Sequence, residues 1–346
     1  MAVEIKMKPK ATSDPDSEFK PYTINGYFIS KPFTSNDSGF SKWGFCTKFG
    51  KELFIKEFLS PKYPADDVEI SETRRKNQIK ECEEWFAQHS KVYKTIMHCN
   101  GGNMVVPIDF FKYKNNFYLV TEKIEANDVG FDEINKKSLS QKHILMMVLA
   151  NEFSRLEAAG VVHSDIKPNN LILKSTIDDF FTVKIIDFDC SFLEENVPYS
   201  DDIHGDLVYF SPETILYIDS EGEEGVITTK ADVFSIGIIF HELLCGSLPK
   251  VESDNEYSYI GEAVLNGEKL ILNNQISKDY RELIEKMLIE DPEERISMKE
   301  VFNTLYDMVN ATQKNNDKHK TKKPEITKFE PNKSSDASPW KPATFD

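Results

Sequence analysis

The sequence predicts an α+β, bilobal fold, in which a small β-rich N-lobe carries one main helix and a larger C-lobe is mostly helical. Two observations support this prediction. Between residues 20 and 125, short strand-like runs are joined by Gly, Asn and Lys turns, and one long helical stretch at roughly 70–97 interrupts them. After residue 138, long segments repeat their apolar residues with helical spacing.

The N-lobe strands are predicted from five runs rich in aromatic and β-branched residues, INGYFI, WGFCTKF, ELFIKEF, MVVPIDFFKY and FYLVTEK. The turn Lys114-Asn115-Asn116 separates the last two runs. The helix that interrupts them is predicted from apolar side chains at helical spacing, namely Ile79, Cys82, Phe86 and Tyr93.

Two long segments predict the main helices of the C-lobe. SQKHILMMVLANEFSRLEAAG has a helical apolar repeat and stops at Gly160, a residue type suited to the position after a helix end. ADVFSIGIIFHELLCG is apolar almost throughout, which is typical of a buried central helix, and it also stops at a glycine.

The chain is therefore divided into four parts. Residues 1–19 are expected to form a disordered arm, 20–125 the N-lobe, 126–311 the C-lobe, and 312–346 a disordered tail. Both ends are polar and contain scattered prolines, so they cannot bury enough apolar surface to offset the entropy lost on ordering.

Composition limits the setting and the partners. A net charge of -16 argues against a surface that binds nucleic acid or anionic membrane. The five cysteines are scattered without C-x-x-C spacing, which favours a reducing compartment, and we expect a cytoplasmic protein. No apolar run has membrane-spanning length. The sequence leaves the oligomeric state open.

Most of the polar residues that could take part in catalysis or metal binding lie in the segment VVHSDIKPNNLIL and in VKIIDFDC, which follows it. Phosphoryl transfer requires positioning and charge neutralisation more than covalent chemistry. Asp165 is placed to accept or orient a substrate hydroxyl, and Lys167 to neutralise charge on a moving phosphoryl group. Asn170 and Asp187 offer the hard oxygen ligands that Mg²⁺ prefers.

The spacing H-x-D-x-K-x-x-N followed by D-F-x resembles the catalytic loop and metal-binding motif of eukaryotic-type Ser/Thr protein kinases. Three further segments, GDLVYFSPE, ADVFSIG and DPEERIS, are similar to later motifs of that family, and the resemblance covers about residues 22–310. It implies an enzyme that uses ATP and Mg²⁺ to phosphorylate Ser or Thr of a protein substrate. It also implies a buried Glu213–Arg295 ion pair, and a structural role for His163 against Phe188.

In the N-lobe, SNDSGFSKWGFC resembles the Gly-rich loop that covers ATP phosphates, although its pattern here is G-x-S-x-x-G. The residues expected to contact ATP in this segment are Gly39, Ser41, Gly44 and Cys46. Lys56 matches the lysine that holds the α- and β-phosphates, and the family pairs it with a Glu of the lone helix. KECEEWF offers Glu81, Glu83 and Glu84, of which Glu83 is favoured.

The segment FYLVTEKIE resembles the last strand of the N-lobe and the hinge that follows it in the family. The resemblance implies that Thr121 stands behind the adenine. It also implies that the carbonyl of Glu122 and the backbone of Ile124 read the edge of the base.

Four positions depart from the family pattern. Ser164 replaces an Arg that grips a phosphorylated activation segment, which suggests that activity does not depend on that phosphorylation. Asp189 replaces a Gly, Asp206 replaces a Thr, and Phe54 stands where a small residue covers the adenine. Two alternatives therefore stay open. One is a pseudokinase that acts as a nucleotide-binding interaction module; the other is a small-molecule kinase, whose families lack the S-P-E and D-P-x-x-R elements.

Overall fold

The structure, a computed structural model, describes residues 19–36, 39, 41–125, 130–176, 180–253 and 255–317. The chain divides into two compact units, Met1–Tyr306 and Asp307–Asp346. Of the second unit, the structure describes only the end of the last helix. Most of the predicted arm and tail lies outside the described residues.

The described strands are β1 (Tyr22–Ile24), β2 (Tyr27–Ile29), β3 (Ser41–Lys48), β4 (Lys51–Phe58), β5 (Pro107–Tyr113), β6 (Asn116–Glu122), β7 (Val161–Val162), β8 (Leu171–Ser175), β9 (Phe181–Ile185), β10 (Phe192–Leu193), β11 (Lys250–Glu252) and β12 (Lys269–Ile271). The described α-helices are α1 (Glu72–Cys99), α2 (Leu139–Ala158), α3 (Pro212–Asp219), α4 (Lys230–Cys245), α5 (Ile260–Leu265), α6 (Lys278–Met287) and α7 (Met298–Asp317).

A six-stranded antiparallel sheet in the order β1-β2-β3-β4-β6-β5 forms the N-lobe. The predicted run INGYFI is divided into β1 and β2 by a turn, in which Asn25 and Gly26 have φ of 47° and 82°. Side chains alternate between the two faces of each strand. One face carries a buried cluster, made of Ile24, Tyr27, Ile29, Cys46, Leu53, Ile55, Phe111, Tyr118 and Val120.

The opposite face of the sheet packs against α1. Phe58 at the end of β4 lies edge-on to Trp85 of α1, with ring centroids 5.0 Å apart. The helix begins at Ser71, whose hydroxyl accepts a hydrogen bond from the backbone N–H of Arg74, and it ends at Asn100. This helix matches the stretch predicted at roughly 70–97.

The C-lobe is built around α4, whose side chains are buried along most of its length. The helix ends at Gly246, which adopts the left-handed conformation (φ 76°) that glycine tolerates. Helix α2 starts with a capping box, in which Ser138 and Gln141 satisfy each other's backbone N–H groups. The predicted α+β, bilobal fold is confirmed. Helix α7 continues to Asp317, past the predicted boundary at residue 312.

Among the helices that the structure describes, none combines the length and the hydrophobicity that a membrane-spanning segment requires.

Candidate active site

The loop between β7 and β8 is held in place by a carboxylate of α4. Asp232 is buried and accepts hydrogen bonds from the backbone N–H groups of His163 (2.7 Å) and Ser164 (3.2 Å). Ser164 has φ 70°, a conformation that non-glycine residues seldom adopt. Because Asp232 fixes both amides, the residues that follow Ser164 emerge in one defined direction.

Within this loop, three predicted site residues contact each other. Lys167 Nζ lies 2.9 and 2.8 Å from the two carboxylate oxygens of Asp165. The amide nitrogen of Asn170 donates to the Asp165 carbonyl (2.7 Å) and to its carboxylate (2.9 Å). Asp165 is buried, and its carboxylate is oriented by the hydrogen bonds that Lys167 and Asn170 donate to it. The pKa of Lys167 is raised, because the Asp165 contact outweighs the cost of burial.

The turn after β9 brings Asp187 next to this loop. The backbone N–H of Ile186 donates to the Asn170 carbonyl (3.0 Å), and the Phe188 ring lies 4.8 Å from the His163 ring. The predicted packing of His163 against Phe188 is thus present. Asp187 itself has φ 65°. Its carboxylate faces Lys56, which approaches from β4.

Lys56 is clamped between two acids of the same turn. Its Nζ lies 2.8 Å from Asp187 Oδ1 and 2.7 Å from Asp189 Oδ2. Burial opposes the charged form of Lys56, but the two carboxylates outweigh it and raise the pKa of the ammonium. Burial also opposes ionisation of Asp187, yet nearby Lys56 holds its pKa below the ordinary value. For Asp189, burial prevails and raises the pKa to about 6.

The predicted Lys56–Glu83 pair is wrong. Glu83, like Glu81 and Glu84, is exposed on α1, whereas the ammonium of Lys56 contacts Asp187 and Asp189. The side chain of α1 that reaches the turn is His89, whose Nε2 lies 3.3 Å from the carbonyl oxygen of Asp189. The helix therefore contacts the backbone of the turn, and the carboxylate partner comes from the turn itself.

The prediction that Cys46 contacts ATP is also wrong. In the β3–β4 register, Trp43 pairs with Lys56 and Phe45 pairs with Phe54, so these side chains share the face of the sheet that carries Lys56. Cys46 points the other way into the buried cluster. A one-residue shift of register moves a side chain to the opposite face of a sheet.

Gly44 shares the face of Cys46 rather than that of Lys56. A Cβ atom there would lie 2.7 Å from the Phe33 ring, so packing accounts for this glycine. Ser41 begins β3 and is buried, and Gly39 is described without its neighbours Ser38 and Phe40, which lie outside the described residues. The predicted contact with ATP therefore stays a prediction for Gly39 and Ser41.

Aromatic rings occupy the Lys56 face of β3 and β4. Phe54 stacks on Trp43 with centroids 5.7 Å apart, and Phe45 lies edge-on to Phe54 at 6.1 Å. Trp43 Nε1 donates to the carbonyl of Asn36, which ties the ring to the segment preceding β3. Phe45 is 40% exposed and thus open to a ligand.

The predicted hinge residues lie at the end of β6 and directly after it. Thr121 is buried and pairs in register with Phe54, which places it beside the aromatic rings. Its hydroxyl donates to the Glu122 carbonyl (3.2 Å), and Ile124 lies in the connection that leaves the sheet. Contacts of Thr121, Glu122 and Ile124 with a nucleotide base stay a prediction.

The predicted Glu213–Arg295 pair is formed below the site. The guanidinium of Arg295 donates to both Glu213 oxygens at 2.6 and 2.9 Å, and both side chains are buried. Further donor groups of Arg295 reach the carbonyls of Ile289 and Glu290. This bidentate contact joins the start of α3 to the segment before α7.

The donor set suits Mg²⁺. Both described contacts of the Asn170 amide nitrogen are to Asp165, which leaves its amide oxygen as the group able to bind a cation. Asp187 contacts Lys56 through Oδ1 and has a second carboxylate oxygen. Hard oxygen ligands of this kind, supplemented by phosphate oxygens and water, are what Mg²⁺ prefers.

The chain belongs to the protein kinase domain family, whose model matches residues 69–306. The match begins after Lys56, so the family model does not support the assignments made for this lysine and for the loop before it. The aromatic face of β3 and β4 belongs to this unmatched part.

Several proteins with similar sequences are named as serine/threonine-protein kinases. The chain is 29% identical over 243 residues to "Serine/threonine-protein kinase GL21140" of Drosophila persimilis, covering 68% of this chain and 30% of that protein. It is 28% identical over 235 residues to "Serine/threonine-protein kinase CG17528" of Drosophila melanogaster (66% and 30%). It is 29% identical over 203 residues to "Probable serine/threonine-protein kinase KCC4" of Saccharomyces cerevisiae (58% and 19%). The chain thus matches less than a third of the length of each of these relatives.

Two residues of the site were not predicted as such. From the sequence, Asp189 was singled out only as a departure from glycine, and His89 was not singled out at all. The D-F-D sequence itself was the available signal, because a second acid two residues after Asp187 lies close enough to share a cation. Nothing in the sequence pattern distinguishes His89 from the other polar residues of α1.

Proposed function

We propose that this chain transfers the γ-phosphate of ATP to Ser or Thr hydroxyls of a protein substrate. The observation that carries the proposal is the compact set formed by Asp165, Lys167 and Asn170, which contact each other beside Asp187 and Lys56. Family membership and the names of the relatives support the same reaction.

In the proposed reaction, Asp165 accepts a hydrogen bond from the substrate hydroxyl and orients its oxygen towards the γ-phosphorus. The new O–P bond forms as the bond between the γ-phosphorus and the bridging oxygen breaks, and ADP leaves. Lys167 neutralises negative charge on the transferred group, and Lys56 binds the phosphates that stay with ADP. Asn170 and Asp187 would hold Mg²⁺, which neutralises phosphate charge. The proton of the hydroxyl passes to Asp165.

Transfer of labelled γ-phosphate to a generic basic protein tests this proposal. The wild type and Asp201→Asn, a control at an exposed acid, should label serine or threonine, and Asp165→Ala should be slower by at least about a hundredfold. Asp187→Ala should lose transfer and also weaken Mg-ATP binding. Wild-type rates from Asp165→Ala would contradict the mechanism.

We further propose that activity does not require phosphorylation of the segment between Asp187 and Glu213. Four contacts without phosphate support this proposal. β10 pairs with β7, Tyr217 donates to the Pro198 carbonyl, Ser164 donates to the His204 carbonyl, and Glu194 accepts from Thr229. Phosphatase treatment should leave the transfer rate within about twofold of the untreated protein, since Ser164 offers no bidentate phosphate donor. A large loss of activity would refute this.

A pseudokinase that binds nucleotide without transfer is the second candidate. The observation that favours it is the aromatic face at Trp43, Phe45 and Phe54, which includes the position where a small residue was expected to cover the adenine. Nucleotide binding, measured by a thermal shift, together with the absence of any labelled product would select this reading.

A cytoplasmic location is proposed as well. Its support is that all five cysteines are free thiols, as a reducing compartment would keep them. Fractionation of cells that express the chain tests it, with recovery from an oxidising compartment as the contradicting result.

A further inference from the structure

We propose that Asp189 is the positioning carboxylate of Lys56, in place of a carboxylate from helix α1. The inference rests on the proposed function, because it concerns the lysine that would bind the phosphates. It assigns to the last residue of the D-F-D turn a role in nucleotide binding.

The ammonium group of Lys56 has close contacts with two carboxylates. Asp189 Oδ2 is 2.7 Å from Lys56 Nζ, as short as the 2.8 Å contact from Asp187, and Lys56 is only 8% exposed. A buried ammonium requires a partner with good geometry. If Asp187 turns its carboxylate to Mg²⁺, Asp189 is the carboxylate that keeps Lys56 in place.

The acids of α1 that were candidates for the Lys56 contact lie on the exposed side of the helix. Glu81, Glu83 and Glu84 are exposed, and Glu84 pairs with Lys80 on the helix surface. An exposed pair of this kind is worth little to stability and does not reach the sheet.

Helix α1 contacts the backbone of Asp189 through His89. His89 lies 3.3 Å from the Asp189 carbonyl through Nε2 and 3.0 Å from the Trp85 carbonyl through Nδ1. Tyr93 lies one turn further along, and burial together with the negative charge of Asp189 raises its pKa. The helix therefore covers Asp189 and contacts its backbone, while the carboxylate is directed to Lys56.

The consequence is that the turn, rather than the helix, sets the position of Lys56. Asp187 and Asp189 flank Phe188, whose ring packs on His163 of the catalytic loop. Both carboxylates that contact Lys56 belong to this turn, and α1 contributes only the His89 contact to the backbone of Asp189.

The test compares three variants by calorimetric titration with ADP in the absence of metal. Asp189→Asn keeps the size and removes the charge, Asp189→Glu keeps the charge, and Glu83→Gln removes an exposed acid of α1. Asp189→Asn should weaken ADP binding by about tenfold, as expected when a charged hydrogen-bond partner is lost. Asp189→Glu should stay within about threefold of wild type and Glu83→Gln within about twofold, differences too small for a lost charge pair.

A double-mutant cycle shows whether Asp189 acts through Lys56. If it does, adding Asp189→Asn to Lys56→Met should cause no further loss of ADP affinity. In transfer assays, Asp189→Asn should raise KM for ATP with kcat within about threefold, the pattern of lost ground-state binding. The unfolding midpoint without nucleotide identifies any variant that fails to fold, and Asp189→Ser, which also removes the carboxylate, replaces Asp189→Asn if that variant does not fold.

Two results would overturn the inference: wild-type ADP affinity in folded Asp189→Asn, or an equal loss in Glu83→Gln. Failure of the proposed function looks different. In that case the wild type transfers no phosphate, and the effect of Asp189→Asn on ADP binding remains.

Discussion

The catalytic loop and the surroundings of Lys56 differ in how far apart in sequence their contacts lie. Asp165, Lys167 and Asn170 lie within one short loop, so their spacing alone brings them together. Lys56 instead meets acids that are 131 and 133 residues away. A motif therefore predicts contacts inside its own segment, whereas the partner of a strand residue depends on the register of the sheet and on the placement of a distant turn.

The largest effect is expected at the Glu213–Arg295 pair, a long-range contact that the motifs did predict. Arg295→Ala removes one partner of a buried pair and leaves the Glu213 carboxylate without its bidentate donor. We expect a loss of about 3–5 kcal/mol in the free energy of unfolding. Urea denaturation measures it, with Arg74→Ala, at an exposed position, as the control. An equal stability of the two variants would show that the pair is not a buried contact.

A pair of substitutions on opposite faces of the sheet tests the register of β3 and β4. Cys46→Ser places a hydroxyl in the buried cluster, so we expect a loss of about 1–2 kcal/mol in unfolding free energy and unchanged ADP affinity. Phe54→Ala removes a ring from the Lys56 face and should weaken ADP binding roughly fivefold. The reverse result, with ADP affinity sensitive to Cys46 and not to Phe54, would support the register that the sequence motif suggested.

The smallest effect is expected at the exposed contact between Lys91 of α1 and Glu195, whose charged atoms are 2.5 Å apart. If α1 does not set the position of Lys56, Lys91→Ala should change the transfer rate by less than about twofold, because exposed ion pairs contribute little. A marked loss of transfer, with folding intact by circular dichroism, would restore α1 as a positioning element.

The sequence was sufficient for the bilobal fold, for helix α1 and for the contacts within the loop between β7 and β8, because apolar periodicity and short-range spacing determine these features. It also led to the Glu213–Arg295 pair through the resemblance of two motifs. It failed for Cys46 because a shift of one residue exchanges the faces of a strand, and the glycine pattern does not fix that register. It failed for Glu83 because helical spacing left several acids of α1 equivalent, and none of them reaches Lys56.

We propose that the loop between β7 and β8 and the turn at Asp187 form one nucleotide and metal site. Calorimetric titration of wild type, Asp187→Asn and the exposed control Asp201→Asn with ADP, with and without Mg²⁺, tests this proposal. We predict that Mg²⁺ tightens ADP binding to the wild type and to Asp201→Asn, and that the gain disappears in Asp187→Asn. An undiminished Mg²⁺ effect in Asp187→Asn, or none in the wild type, would contradict the account.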